Sequence, residues 1–223
     1  MEEHIVKILN LQQVTYDVKS FQVEKPEGYS FNSGQATDVS INVPSLKNEK
    51  RPFTFTGINS DPYLEFTIKI YSQHNGITNE LGKLKVGDEL IIGDVWGDIA
   101  FKGKGLFIAG GAGITPFISI LRDLKSRNEN TGNMLVFANK KRSDIIRESE
   151  LKDMLGKAFI NILSEEKAEG YIHGMISEDL LKSNIHSYDQ RFYLCGPPPM
   201  MHSVLDQLSG LGIGQNLIIM DEI

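Results

Sequence analysis

Four stretches hold residue types suited to chemistry. In the first, Arg51, Pro52, Phe53 and Thr54 follow one another. On a strand such a run offers a cation for a phosphate, a ring face for a flat group and a hydroxyl for a ring nitrogen. Taken alone, its plainer account is an exposed arginine, a core phenylalanine and an ordinary strand threonine. The second, Gly76, Ile77 and Thr78, reads as a glycine turn into a short helix. Its N-terminal N–H groups would face an anion, or the turn is only a capped connector. In the third, an apolar run (106–109) feeds Gly110, Gly111, Ala112 and Gly113, and then Ile114, Thr115 and Pro116. A strand, a glycine-rich turn and a helix start together point N–H groups at a phosphate or pyrophosphate, although such turns also serve tight strand–helix packing. In the fourth, Tyr193, Leu194, Cys195 and Gly196 run into Pro197, Pro198, Pro199 and Met200. Gly196 lets a ligand come close, and the prolines preset the backbone. A lone cysteine is often an inert buried residue, but this one ends a strand beside a rigid turn, on the edge where open α/β sheets bind ligands.

The elements that must position these residues fall into two groups. From residue 4 to about 100, apolar residues alternate in short runs: Ile5, Leu9 and Leu11; Val18, Phe21 and Val23; Val39, Ile41 and Val43; then 53–56, 64–71 and 89–92. Turn residues separate the runs, and about six short strands so spaced predict an antiparallel β-barrel. One helix fits between the last two strands, at 78–84, with Thr78 as its N-cap. From Lys104 the pattern changes to alternating strands and helices. Strands are expected at 106–109, 134–138, 159–163, 191–194 and 216–220, and helices at 115–126, 145–155, 177–182 and 198–208. Such alternation implies a doubly wound, largely parallel sheet covered on both faces. The expected division is a barrel domain over 1–102 and a nucleotide-binding α/β domain over 103–223, with Lys102 to Gly105 as the link.

Composition narrows the function. The 223 residues are 40% hydrophobic and 23% charged, enough for buried cores and unlike a disordered chain. A net charge of −6 argues against nucleic acid as the main partner. With Cys195 the single cysteine, the chain holds no internal disulfide and no four-thiolate metal site, and no metal site is expected. The first residues lack a basic segment followed by an apolar stretch, and no apolar run is long enough for a bilayer. The expectation is a soluble cytoplasmic protein without a membrane partner.

In this order, Arg51 to Thr54, Gly76 to Thr78, Gly110 to Pro116 and Cys195 to Met200, the motifs resemble those of the ferredoxin–NADP reductase superfamily, and within it the short flavodoxin/ferredoxin reductase-type flavoproteins. The resemblance covers essentially the whole chain. It implies that the barrel binds a flavin, FAD by family precedent or else FMN, and that the second domain binds a nicotinamide cofactor. On that reading Arg51 binds the flavin phosphate beside Pro52, Phe53 stacks on the isoalloxazine and Thr54 hydrogen-bonds near N5. The family usually has Tyr and Ser where this chain has Phe53 and Thr54, so the ring face and one hydroxyl are kept. Backbone at Ile68, Lys69 and Ile70 would run along the flavin, and Gly76, Ile77 and Thr78 would hold its pyrophosphate. Gly111, Ala112, Gly113, Ile114 and Thr115 would meet the dinucleotide pyrophosphate, while Cys195, Gly196 and Pro197 flank the nicotinamide. Thr54 and Cys195 are the catalytic candidates.

Two departures from the family pattern bear on cofactors. NADPH-using members commonly carry a Ser-Arg pair, where this chain has Ser164 and Glu165. Glu165 would repel a 2′-phosphate and accept from a ribose hydroxyl, which favours NADH over NADPH. The basic run Lys140 to Arg142 points the other way. The chain ends Met220-Asp221-Glu222-Ile223, without the aromatic residue that covers the flavin in plant-type members. Glu222 would then resemble an acidic residue that some relatives place near the flavin, or the end is a plain terminal strand.

The resemblance implies an NAD(P)H oxidoreductase that passes hydride to flavin and then single electrons to flavodoxin or ferredoxin. Lys47, Lys50, Lys69, Lys83 and Lys85 would form a docking patch for such a carrier, or merely solubilise barrel edges. The alternatives are a reductase subunit of an oxygenase or multi-subunit complex, and a flavin-binding regulatory module without turnover.

Overall fold

A computed structural model describes residues 2–221; the expectation for Glu222 lies outside the described residues. Six antiparallel strands come first: β1 (His4–Thr15), β2 (Val18–Glu24), β3 (Ala36–Ile41), β4 (Arg51–Thr54), β5 (Tyr63–Lys69) and β6 (Glu89–Trp96). Their order is β4-β3-β6-β1-β2-β5. The sheet curls until its ends meet, with Phe55, just past β4, bridging Phe66 of β5. β1 supports the curl with irregularities at Ile8/Asn10 and Gln13/Thr15, as bulges increase local twist. The closed sheet wraps Val6, Phe21, Val23, Val39, Phe55, Leu64, Phe66 and Ile92, all essentially inaccessible to water.

The helix expected at 78–84 is α1 (Ile77–Leu81), and its N-cap is Gly76 rather than Thr78. Ile77 and Leu81 face the barrel core. That burial draws the first turn one residue toward the N-terminus and leaves Thr78 inside the helix. The fourth strand also shifts: it spans Arg51–Thr54 rather than 53–56, because Phe55 turns inward to stack on Phe31 at 4.2 Å.

The second sheet is wholly parallel and contains β7 (Gly105–Gly110), β8 (Met134–Asn139), β9 (Phe159–Leu163), β10 (Ile172–His173), β11 (Arg191–Cys195) and β12 (Ile218–Ile219). Its order is β10-β9-β8-β7-β11-β12. β10 was not expected; it is two residues long and exists by pairing with Ile162 and Leu163. The last strand is shorter than 216–220 because Gln215–Leu217 forms a 3-10 turn. Between these strands lie α2 (Thr115–Ser126), α3 (Glu148–Leu155), α4 (Glu178–Asn184) and α5 (Pro198–Gly210). α3 starts three residues later than expected, after a chain reversal in which Arg147 takes a left-handed conformation, φ 56°.

Alternate side chains along β7 serve opposite faces, as a strand's period of two requires. Phe107 and Ala109 join Phe117, Leu121 and Leu151 of α2 and α3, while Leu106 and Ile108 join Leu181, Met201 and Val204 of α4 and α5. Both faces are therefore covered, as expected for a doubly wound sheet. The α2–α3 face also receives Val18 from β2, so the barrel and the sheet share apolar packing. Tyr193 pins the link between them: its hydroxyl accepts from the Lys102 N–H at 2.9 Å and donates to the Gly103 carbonyl at 2.6 Å.

Candidate functional site

The carboxyl ends of the parallel strands open onto one cleft of about 270 Å³. Gly110 ends β7 and Gly111 and Ala112 follow it, Asn139 ends β8 and Lys140 follows it, Ser164 follows β9, Gly174 to Ile176 follow β10, and Pro197 and Met200 follow β11. Lys69 and Tyr71, at the end of β5, supply a wall from the barrel. This is where an open α/β sheet places ligands: strand ends supply loops and helix N-termini on one side.

The turn after β7 is shaped for close approach. At Gly113 a Cβ would stand 2.5 Å from the Cys195 carbonyl carbon and 2.6 Å from Gly196 Cα, and backbone cannot give way to that extent. The two turns therefore touch, and only glycine fits between them. Gly111 is needed for a different reason: its φ is +52°, left-handed, with open space where a side chain would stand. Thr115 closes the turn by donating its hydroxyl to the Ala112 carbonyl at 3.0 Å. Pro116, at the first turn of α2, needs no hydrogen-bond partner for its nitrogen.

Of the expected site residues, Lys69, Gly111, Ala112, Ser164 and Pro197 line this cleft. Gly113, Cys195 and Gly196 form the contact beneath it. Ile114 is wholly buried in the core, and so are Ile68 and, nearly, Ile77; their side chains cannot reach a ligand, which leaves only backbone. Glu165 is half exposed and paired with Lys140 at 3.0 Å, so the acidic residue and the first of the opposing basic run meet directly. Arg51, Pro52, Phe53, Thr54, Gly76 and Thr78 lie on the barrel and do not line this cleft. β4 is an edge strand whose Arg51 and Pro52 are exposed and whose Phe53 and Thr54 are partly buried. Phe53 packs on the same core as Ile77, which joins the strand to the α1 turn. Among the described residues the Arg51 guanidinium has one distant counter-ion, Glu49 at 4.0 Å, and donates to the Lys50 carbonyl at 2.7 Å.

Burial, and then the nearby Asp221 carboxylate, push the Cys195 thiol up to about 12. It is therefore a neutral, packed group at physiological pH and no thiolate nucleophile. Three of the five lysines expected to form a docking patch are ion-paired. Lys50 pairs with Glu3, Lys83 with Glu80 at 2.7 Å, and Lys69 with Asp17 at 2.9 Å inside the cleft.

The cleft residues missed in the sequence are Tyr71, Ala138, Asn139, Asp144, Gly174, Met175 and Ile176. Asn139 is 8% exposed, and neither its amide nitrogen nor its amide oxygen has a partner among the described residues. It is the last residue of β8, one beyond the strand expected from the sequence, and it lies beside the glycine turn because β8 pairs with β7. Gly174 to Ile176 depend on β10, whose two residues leave no periodic trace.

Residues 107–206 match the family of the oxidoreductase NAD-binding domain. Over its whole length the chain superposes on a ferredoxin NADP+ reductase from Neisseria gonorrhoeae with bound FAD and NADP, with a TM-score of 0.87, 19% identity and coverage of 99% and 98% of the two chains. The flavohem-like FAD/NAD-binding domain of nitric oxide dioxygenase from Vibrio cholerae O1 biovar El Tor gives the same score at 20% identity, covering 96% of each. The C-terminal part is thus similar to oxidoreductase NAD-binding domains, and the whole chain has the ferredoxin–NADP reductase-like fold. In sequence, this reductase-like chain is 30% identical over 194 residues to NADH-cytochrome b5 reductase 1 of Mycosarcoma maydis, covering 80% of this chain and 59% of the relative. It is 27% identical over 237 residues to the reductase component of propane 2-monooxygenase from Rhodococcus jostii (strain RHA1), covering 97% and 62%. The chain thus spans about three-fifths of the length of these relatives. Among the described residues, no helix is long and apolar enough to cross a membrane.

Proposed function

We propose that this chain is a flavin-dependent NAD(P)H oxidoreductase, with FAD on the barrel and a nicotinamide dinucleotide in the cleft along the sheet's carboxyl edge. One observation carries the reading: the glycine turn of an NAD-binding domain sits against Cys195 and Gly196, while Lys69 and Tyr71 of the barrel close the same cleft. Two flat rings that exchange hydride need such an edge, where two binding surfaces meet with little side chain between them.

The residues present fit both groups. For the flavin, Arg51 offers a guanidinium without a close carboxylate, Phe53 a partly exposed ring and Thr54 a hydroxyl. At Gly76 the space a Cβ would fill is open, so a pyrophosphate can approach the first N–H groups of α1. For the dinucleotide, the turn from Gly111 to Thr115 offers backbone N–H groups, and Cys195 and Gly196 present a neutral, small surface. Bound in this way, the flavin would supply two-electron chemistry toward the nicotinamide and one-electron chemistry toward an acceptor. The protein's part is alignment and exclusion of water. Arg51 neutralises phosphate charge, Thr54 fixes ring orientation through its hydroxyl, and the Gly113 contact keeps the cleft floor narrow.

NADH is favoured over NADPH. A 2′-phosphate beside Ser164 would meet Glu165, whose charge Lys140 only partly offsets at an exposed site. The absorption spectrum of the purified protein and identification of its released flavin test the whole reading. Yellow protein carrying FAD and bleached faster by NADH than by NADPH is the expected result. A colourless protein that fails to take up added FAD overturns it.

For the acceptor, a small carrier protein such as flavodoxin or ferredoxin is one reading. The likeness to the propane 2-monooxygenase reductase component across 97% of this chain favours a second, the reductase component of an oxygenase. Any iron–sulfur centre then belongs to another polypeptide segment, since Cys195 is the single thiol here. Turnover with isolated carrier proteins in place of an artificial dye separates the two. A flavin-loaded protein that NADH fails to reduce, even with an artificial acceptor present, would instead favour a regulatory module without turnover.

A further inference from the structure

Away from both proposed sites, a partly buried polar cluster joins the barrel to the helix that carries the glycine turn. Arg122 of α2 donates from Nη1 to the Glu65 carboxylate of β5 at 2.6 Å and to the Thr56 carbonyl at 2.8 Å. Its Nε and Nη2 hold the Glu150 carboxylate of α3 at 2.5 and 3.0 Å, so a single guanidinium spans three elements and both domains. One turn earlier on the same helix, the Ser119 hydroxyl donates to the Gly57 carbonyl at 2.7 Å, with Ser119 wholly buried. Glu65 itself is 4% exposed and takes a further hydrogen bond from Thr56 Oγ1 at 2.9 Å, and Thr56 meets Thr67 at 3.0 Å. Arg147 adds a second cation, 3.9 Å from both Glu65 and Glu150, and reaches β1 through Gln12 at 3.1 Å. Its left-handed backbone, unusual for a non-glycine residue, persists only where the surroundings hold it.

The placement of these bonds carries the meaning. Thr56 and Gly57 directly follow the Arg51–Thr54 strand, and Ser119 and Arg122 stand about one and two turns beyond Thr115. The cluster therefore ties the strand proposed to orient the flavin to the helix whose first turn is proposed to hold the dinucleotide. A fold with two binding surfaces on separate domains needs such a tie, because a small rotation at the junction moves one ring across the other. Shared apolar packing limits that rotation only through shape, since the hydrophobic driving force is itself non-directional. Hydrogen bonds from a planar guanidinium to two carboxylates and a carbonyl do fix it.

We propose that the Arg122–Glu65 pair is a positioning clamp, which sets the register of the two cofactor surfaces without touching either cofactor. This rests on the functional reading above. The test compares wild type with Arg122→Gln, Glu65→Gln and Arg122→Lys, each purified with its flavin, by rapid mixing with NADH under anaerobic conditions. For Arg122→Gln and Glu65→Gln the limiting rate of flavin reduction should fall by about 10- to 100-fold, the scale expected for misplacement of reacting groups. Flavin content and the NAD+ dissociation constant from calorimetry should stay within about threefold, and the long-wavelength charge-transfer absorption with NAD+ should weaken. Arg122→Lys, which keeps the charge but gathers its donors on one nitrogen without the planar fork, should recover part of the rate. A lower melting temperature with an unchanged limiting rate overturns the clamp. So does a parallel loss of flavin affinity, nucleotide affinity and rate, which marks general loosening. A wild type that binds flavin but is not reduced by NADH is recognised before any variant is compared; it overturns the functional reading, and the positioning role with it.

Discussion

The thiol of Cys195 ends β11 beside the proposed dinucleotide cleft, yet its surroundings suppress its reactivity. Burial and Asp221 hold it protonated up to about pH 12, so its contribution is size and polarizability rather than nucleophilicity. Alkylation by iodoacetamide should accordingly stay slow and rise only in strongly alkaline solution; a reaction that reaches its plateau below pH 8 would show a depressed pKa and refute this. Arg51 is the opposite case, an exposed cation with little structural engagement. Arg51→Ala should leave the melting temperature unchanged while weakening flavin binding by about 1.5–3 kcal/mol, the scale for a hydrogen bond to a charged group. Equilibrium dialysis of apoprotein with FAD measures it, and equal affinity in wild type and variant would remove Arg51 from the phosphate site.

The turn joining β7 to α2 shows two glycines present for two different reasons. Gly113→Ala forces a methyl into the Cys195 and Gly196 backbone and should cost at least the 1–3 kcal/mol typical of overpacking, with loss of NADH affinity. Gly111→Ala meets no atom and should cost only about 1–2 kcal/mol for its left-handed φ. Denaturant melts of the two variants should rank in that order, and a reversed ranking would mean the turn relaxes away from Cys195. The existence of this turn was legible in the sequence because its information is local: an apolar run, spaced glycines, and Thr115 and Pro116 at a helix start. For the same reason α2 spans 115–126 as the periodicity predicts, and Ser177 caps α4 by accepting from the Leu180 N–H at 3.3 Å. The cap at Thr78 was misread because the burial of Ile77 is a tertiary fact that outranks a capping preference. β10 was invisible for a related reason, since a two-residue strand is specified by its neighbour rather than by its own pattern. The Asn139 amide belongs to the cleft only because β8 ends beside β7 and β9, an arrangement that emerges with the sheet order.

At the scale of the whole molecule, the largest feature absent from any local pattern is the ionic cluster between the domains. Glu65 and Arg122 lie 57 residues apart in sequence, and no periodicity announces their meeting. The pH dependence of stability should report on it. Burial pushes the Glu65 carboxyl up, but the Arg122 charge and its hydrogen bonds, with Thr56 and Arg147 beside them, outweigh burial and hold it below the usual carboxylate range. On Arg122, burial acts against the cation, and Glu150 and Glu65 together outweigh it, so the guanidinium stays charged throughout. A carboxylate whose folded pKa lies below its unfolded value of about 4.3 contributes stability that is fully present above that value and is lost as pH falls through the folded one. Wild type should therefore exceed Glu65→Gln in unfolding free energy by a constant amount from neutral pH down to about 4.5, with the difference shrinking at lower pH. Glu65→Ala, which removes one of the two carboxylates and leaves Arg122 with Glu150 and the Thr56 carbonyl, should lose about 1.5–3 kcal/mol at neutral pH, the scale for a hydrogen bond to a charged group. Urea titrations at a series of pH values between 3 and 7 measure all three proteins. A wild-type advantage over Glu65→Gln that grows as the solution is acidified would mean that Glu65 is protonated in the native cluster, and the junction would then be held by a neutral hydrogen bond instead of an ion pair.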